Sequence, residues 1–262
     1  MGITSLRNAL LNPIEEGNFY CLPNSQVFPV GANDDSNINP IPHKLLRRQF
    51  HKELVMIVQY LRENRIPNKG GVFFGPSGSG KSWAAMAVLM EELKASETTG
   101  RSVVFFEACS GNAFVFGKHR CVCIENMTNG PNCVHIPELR ERYALLIYDG
   151  IVGGNSRQLC IFPCKYLVFS TPNAGHYKNL LRYGALSFIC PSWTKQELKE
   201  LEHGYGNRLS TDEMERRFDL YGGSPRSVVA FDPQSPDEQL YNVRRLLRGK
   251  IHLTSMSGRV VC

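Results

Sequence analysis

The sequence has no apolar run approaching the ~18 residues that a membrane-spanning helix requires. Its start, Met1 to Leu10, also lacks the basic stretch and apolar core of a secretory signal. No membrane association is therefore expected, and an intracellular location is. Leu6 stands where a myristoylation site needs Ser or Thr, and the closing Arg-Val-Val-Cys does not form a prenylation box. Internal repeats and low-complexity tracts are absent too. Cysteine is not scarce, but its nine copies are an odd number scattered through apolar stretches, which fits reduced thiols better than a disulfide frame. A zinc knuckle of the C-x₂₋₄-C kind is missing around Cys121, Cys123, Cys133 and His135. Those four could converge on a metal only across paired strands, and a β-hairpin with small buried cysteines is the simpler reading. No metal is expected there.

What is present is an ordinary globular balance, 42% apolar and 21% charged over 262 residues, enough for one large domain or a core with a satellite. The net charge of +6 permits contact with nucleic acid without requiring it. Residues 1–43, rich in Pro, Asn and Gly, read as an irregular arm. From His43 to Arg65 the apolar spacing predicts one amphipathic helix. Short apolar runs at "GGVFFG", "SVVFFEA", "YALLIYD" and "KYLVFST" then alternate with helical stretches. Continuous apolar strands buried on both faces belong to parallel sheets, so the fold class expected over residues 44–191 is α/β. From residue 192 to 262 the pattern turns helical, with capping boxes at Thr194/Glu197 and Ser210/Glu213 and a start at Ser224–Pro225. A fourth helix is expected from "SPDEQLYNVRRLLRGK", and these helices read as a small domain packed on the sheet.

The strongest signal is "GPSGSGKS", Gly75, Pro76, Ser77, Gly78, Ser79, Gly80, Lys81 and Ser82, which fits the phosphate-loop pattern and sits between an expected strand and an expected helix. Glycines let backbone N–H groups wrap phosphates, and the following helix start adds positive potential. Lys81 would reach the β- and γ-phosphates, and the Ser82 hydroxyl would ligate Mg²⁺. Trp83 follows directly, read as core rather than as a shelf for a base. Asp149, closing "LLIYD", is placed for the Mg²⁺ side of such a site, unless it merely opens the turn Asp149–Gly150.

A second acid after Asp149 is what the chain lacks: Gly150 is there. The search for a catalytic base therefore moves to Glu107, at the end of another strand, where an ordinary solvated glutamate is the competing reading. Ser170, Thr171 and Asn173 end a third strand, either contacting the γ-phosphate or attacking water, or forming a plain turn. Arg226, in the first turn of a helix that begins at Pro225, is electrostatically odd unless an anion joins it; a surface arginine covering Tyr221 is the alternative. Arg47–Arg48 and Arg244–Arg245–Arg248–Lys250 read as solvated helix faces, with nucleic-acid contact the lesser reading.

"GPSGSGKSW", "LLIYDGI", "FSTPNAGHYKNL", "CPSWTKQELKEL" and "YGGSPRSVV" resemble, in order and spacing, the N-terminal ATPase module of Crinkler effectors and retrotransposon hot spot proteins. "SLRNA" and "IPHKLLRRQFHKEL" are similar to that family's lead-in. The resemblance implies a P-loop NTPase of the additional-strand type, akin to AAA+ and STAND proteins, with a C-terminal lid. It carries Lys81 and Ser82 to phosphate and Mg²⁺, Asp149 to Mg²⁺, and Arg226 to a nucleotide-sensing lid arginine. It also implies a nuclear setting, and it makes an Asp-Gly ending normal. Family members often carry a nuclease-like or kinase-like effector domain, which is not expected after the lid in this chain.

The expected function is Mg²⁺-dependent binding and hydrolysis of a nucleoside triphosphate, ATP with GTP as the alternative, changing the placement of the lid helices. A protein partner or self-association is compatible with that, and nucleic acid remains open. The alternative is a nucleotide-gated binding module with negligible turnover, motivated by Gly150. A small-molecule kinase is disfavoured, because no Arg-rich lid motif lies between Asp149 and Pro191.

Overall fold

The computed structural model describes residues 7–229 apart from 9, 17, 23–42, 47, 64–69, 77, 128, 153–155, 205, 207 and 208. In the arm, three short strands, β1 (Ile14–Glu16), β2 (Phe19–Leu22) and β3 (His43–Leu46), form an antiparallel sheet in that order. The expectation of an irregular arm is thus corrected for these residues. The expected helix also loses its first residues to β3, because Leu22 to Phe19 pair with His43 to Leu46 across a long sequence gap. Helix α1 (Gln49–Glu63) follows, burying Leu54, Val58 and Leu61 on one face.

A second sheet of seven strands holds the core. Its strands are β4 (Gly70–Phe74), β5 (Val103–Glu107), β6 (Asn112–Phe116), β7 (Cys121–Ile124), β8 (Leu145–Asp149), β9 (Lys165–Ser170) and β10 (Leu186–Ile189). They lie in the order β10-β4-β9-β8-β5-β6-β7. From β10 to β5 every pairing is parallel; β6 and β7 continue antiparallel as a hairpin. Strand β9 is inserted between β4 and β8, so the phosphate-loop strand and the Asp149 strand are not neighbours.

Alternate residues of each central strand serve opposite layers, which is why the apolar runs are unbroken. Val103, Phe105, Leu145, Ile147, Leu167 and Phe169 face one cluster with Leu54, Val58 and helix α2 (Lys81–Thr99). Val104, Phe106, Leu146, Tyr148, Tyr166 and Val168 face the other, with Leu139, Leu159 and Leu180. The last two come from short helices α3 (Ser156–Ile161) and α4 (Lys178–Arg182). Helix α2 is alanine-rich on its sheet side, so it sits close to the strands, and it ends at left-handed Gly100, whose N–H donates to Ser96 O at 2.8 Å.

Beyond β10 come α5 (Lys195–Gly204), α6 (Thr211–Tyr221) and α7 (Pro225–Val228). Leu198, Leu201, Met214, Val228 and Val229 close a third cluster with Trp193, Phe19 and Leu46. The Thr194/Glu197 box is reciprocal, with Thr194 N–H donating to Glu197 at 2.8 Å and Glu197 N–H to Thr194 Oγ1 at 3.1 Å. Ser210 accepts from Glu213 N–H at 3.2 Å, but the Glu213 carboxylate turns to Arg216 and Arg217 instead of closing the box. Ser224 holds the N-cap position without a side-chain cap bond. The expected fourth helix and Arg244–Lys250 lie outside the described residues. Among those described, no helix is long and apolar enough to cross a membrane.

Candidate functional site

The carboxyl ends of parallel strands share one edge, and the strand register states which residues meet there. Phe74 pairs with Ser170, Asp149 with Phe169, and Glu107 with Asp149. The end of β4 runs directly into Gly75, so the phosphate loop, Ser170, Asp149 and Glu107 occupy that edge side by side.

The loop turns at Gly78 (φ 76°) and Gly80 (φ 86°), left-handed conformations that suit glycine. Lys81 opens α2 and folds its ammonium over the loop, donating to Gly75 O at 3.0 Å and Pro76 O at 2.7 Å. Ser79 is buried and Ser82 is exposed, while Trp83 is half-buried against the cluster that α2 shares with the sheet. Ser77 lies outside the described residues.

The Ser82 hydroxyl lies beside the Asp149 carboxylate and favours its charged form. Burial, with the Glu107 charge adding to it, pushes Asp149 up to about 6, against the pull of Ser82 and Lys81. Two hard oxygen donors with a lysine close by fit Mg²⁺ beside a phosphate. Glu107 is buried, not solvated, and its carboxylate accepts from Ser110 Oγ at 2.6 Å. Exposed Cys109 lies near the same carboxylate, and burial, then the Glu107 charge, raises the pKa of its thiol.

Gly150 has a positive φ of 131°, and a Cβ there would lie 2.6 Å from Ala108 Cβ. The chain is held in this bend by Gly150 N–H donating to Phe169 O and Ala108 N–H to Asp149 O, both at 2.9 Å. No side chain is accommodated where a second acid would follow Asp149.

At the end of β9, Ser170 is 1% exposed and its hydroxyl has no hydrogen-bond partner among the described residues. Thr171 is engaged with His176 Nδ1 at 2.8 Å, and Asn173 Oδ1 accepts from Gly175 N–H at 2.9 Å. Those two behave as turn residues. The backbone of Arg226 lies in the first turn of α7; its side chain is outside the described ones.

Arg48 corrects the reading of a solvated basic face. Its side chain is 2% exposed and pairs with Glu197 through both carboxylate oxygens, at 2.9 and 3.2 Å. It also stacks over Trp193 at 4.5 Å. Neither contact has a local sequence signal, because the partners lie far along the chain. The cysteine segment differs from expectation too. The hairpin forms from β6 and β7 about Gly117–Arg120, leaving Cys133 and His135 in a separate turn. Among the described residues no group of three or more His, Cys, Asp or Glu is placed to hold a metal ion.

The chain has the α/β P-loop NTPase fold with a mainly parallel sheet and an added strand between β4 and β8. No family model and no curated protein matches it. Among solved structures it is similar to ORC2 of Aeropyrum pernix in complexes with ADPNP and ADP, at 13% identity and TM-score 0.45, over 87% of this chain and 74% of that one. AMPPCP-bound DnaA of Aquifex aeolicus gives 13% identity and TM-score 0.42 over 78% and 68%. The Thermotoga maritima RuvB Holliday junction branch migration motor gives 14% and 0.41 over 70% and 59%.

The resemblance to Crinkler and retrotransposon hot spot proteins is thereby corrected: no family model supports it. Its distinctive residues have local causes. Thr194-x-x-Glu197 is a capping box, and a Cβ on Gly223 would overlap the Trp193 carbonyl oxygen. The nuclear setting and the effector role rested on that resemblance alone and go with it.

Proposed function

We propose that this protein binds a nucleoside triphosphate, ATP, with Mg²⁺ and hydrolyses its terminal anhydride, coupling turnover to the helices that follow β10. The observation that carries this is the convergence, on one sheet edge, of the phosphate loop, the Ser82–Asp149 pair and buried Glu107. Backbone N–H groups of residues 78–82 and the start of α2 bind phosphate oxygens, and Lys81 supplies charge to the β- and γ-phosphates. Ser82 and Asp149 are the residues that would hold Mg²⁺, which neutralises developing charge on the phosphates. Glu107 orients the attacking water and accepts its proton. Ser170, whose buried hydroxyl has no partner among the described residues, contacts the γ-phosphate or that water. Arg226, in the first turn of α7, is assigned the nucleotide-sensing role in the helical unit that we take to run from residue 192.

The test is phosphate release by purified protein with Mg²⁺ and ATP or GTP. Lys81→Ala is expected to abolish both binding and turnover; turnover surviving in that variant would place the activity elsewhere. A nucleotide-gated binding module with negligible turnover is the second reading. It is favoured by Ser110, whose hydroxyl already occupies the Glu107 carboxylate at 2.6 Å. Tight binding without phosphate release in the unaltered protein would select it.

A further inference from the structure

Three separate stretches of the chain meet at one carbonyl group of the phosphate loop. Ser79 O accepts from Trp193 Nε1 at 2.9 Å and from an Arg48 Nη at 3.4 Å. Arg48 comes from the junction between β3 and α1, and Trp193 from the segment between β10 and α5. The other Arg48 Nη also donates to Ser192 O at 3.2 Å and Pro191 O at 3.4 Å. A buried guanidinium is costly unless its charge and its N–H groups are met. Here Glu197 supplies the charge, three carbonyls take the remaining donors, and the Trp193 ring covers the face. Burial raises the pKa of Glu197, but hydrogen bonds from Arg48 and from Thr194 N–H outweigh it, so the carboxylate stays below its usual range and charged. The same glutamate caps α5.

The peptide between Ser79 and Gly80 is planar and trans, so its carbonyl and its N–H point in opposite directions. Pinning Ser79 O against Trp193 and Arg48 therefore aims the Gly80 N–H to the opposite side. In the proposed nucleotide site that N–H belongs to the set that receives phosphate, one residue before Lys81. The left-handed Gly80 is the residue that lets the backbone hold this orientation.

We infer that Arg48 and Trp193 are positioning residues of the phosphate loop: they preset the Gly80 N–H for an anion and tie its orientation to the N-terminus of α5 through Glu197. The inference rests on the nucleotide-binding reading of that loop. It makes the Ser79–Gly80 peptide the link between nucleotide occupancy and the helices after β10. Loss of the preset orientation weakens ground-state and transition-state binding alike, so it raises KM more than it lowers kcat.

The experiment uses the full chain with Mg²⁺ and either ATP or ADP as probe. Trp193→Phe removes the indole N–H and keeps an aromatic ring; Arg48→Lys keeps a charge and loses the fork. Both are expected to raise KM and the Kd for ADP about tenfold, with kcat within about threefold and the fold retained by circular dichroism. In the unaltered protein, ATP is expected to slow amide exchange in residues 195–204, and Trp193→Phe to abolish that response. Glu197→Gln keeps an acceptor for the cap but leaves the buried Arg48 charge unmet, so it is expected to lose the exchange response and to weaken affinity in the same direction as Arg48→Lys. A merely structural role predicts lowered melting temperatures with KM unchanged, and that result overturns the inference. Should Arg48→Lys fail to fold, Trp193→Phe decides alone. Absence of ATP and ADP binding in the unaltered protein removes the nucleotide reading itself, and the inference with it.

Discussion

Glu107 and Asp149 are register partners at the carboxyl ends of adjacent parallel strands, two carboxylates side by side on one sheet edge. The acid that is missing after Asp149 in the sequence is thus present beside it in space. Like charges so close disfavour joint ionisation, and this is part of why Asp149 sits at about 6. A metal ion and a lysine would relieve that repulsion. Glu107→Gln preserves shape and an acceptor for Ser110 but removes the carboxylate proposed as the base. Steady-state kinetics are expected to show kcat lowered by roughly 10²–10⁴-fold, the range of general-base catalysis, with Kd for ATP within a few-fold. An unchanged kcat would remove Glu107 from the mechanism.

Installing the absent acid directly is expected to fail. Position 150 combines a φ of 131° with a Cβ position 2.6 Å from Ala108 Cβ. Gly150→Ala should cost about 2 kcal/mol or more in urea unfolding, from backbone strain and overlap together. Adding Ala108→Gly should restore only the overlap share, a coupling that a double-mutant cycle measures. Gly150→Glu should be destabilised in the same way with no gain in turnover. If Gly150→Ala matched the unaltered protein in stability, the steric account of the missing acid would be wrong.

Periodicity was enough to read the central strands, because a strand buried on both faces needs an unbroken apolar run, as in "LLIYD" and "YLVFS". Strand β10 escaped it: only four residues long, it alternates half-buried Leu186 and Phe188 with exposed Ser187 and Ile189. The antiparallel sheet in the arm escaped because its β2–β3 pairing joins residues on either side of 23–42. At the site, the phosphate loop was legible because its chemistry is contiguous. Arg48 looked like any basic residue beside Arg47, since what buries it is Glu197 and Trp193, which no window around position 48 contains. Cys109 was passed over for the same reason, its link to the site being Glu107.

His51 provides a pH signature for the packing around Arg48. Burial, followed by the Arg48 charge, lowers its pKa from 6.5 to about 4, with Glu197 pushing the other way. The folded state favours the neutral ring, so between pH 4 and 6.5 the unfolded chain binds more protons. Stability therefore falls as pH drops through that window, by about 3 kcal/mol at full extent. His51→Asn changes absolute stability by its own packing, so the slope is the quantity to compare. Denaturant unfolding at several pH values between 4.5 and 7 should give a shallower slope for His51→Asn. Parallel slopes for the two proteins would mean that His51 is not buried neutral.

Ser170 separates a catalytic role from a structural one. Its buried hydroxyl has no partner among the described residues; an unmet buried hydroxyl costs free energy, so removing it should be neutral or stabilising by about 1 kcal/mol. Residues kept for packing behave in the opposite way, because deleting their atoms leaves a cavity. Ser170 stands between the start of the phosphate loop and the Asp149 strand, since Phe74 is its register partner on one side and β8 borders β9 on the other. Ser170→Ala is therefore expected to melt no lower than the unaltered protein while kcat falls about tenfold or more, with the Kd for ADP nearly unchanged. Equal kcat in the two proteins would make the hydroxyl a bystander, and a lower melting temperature would show that it has a partner in the fold after all.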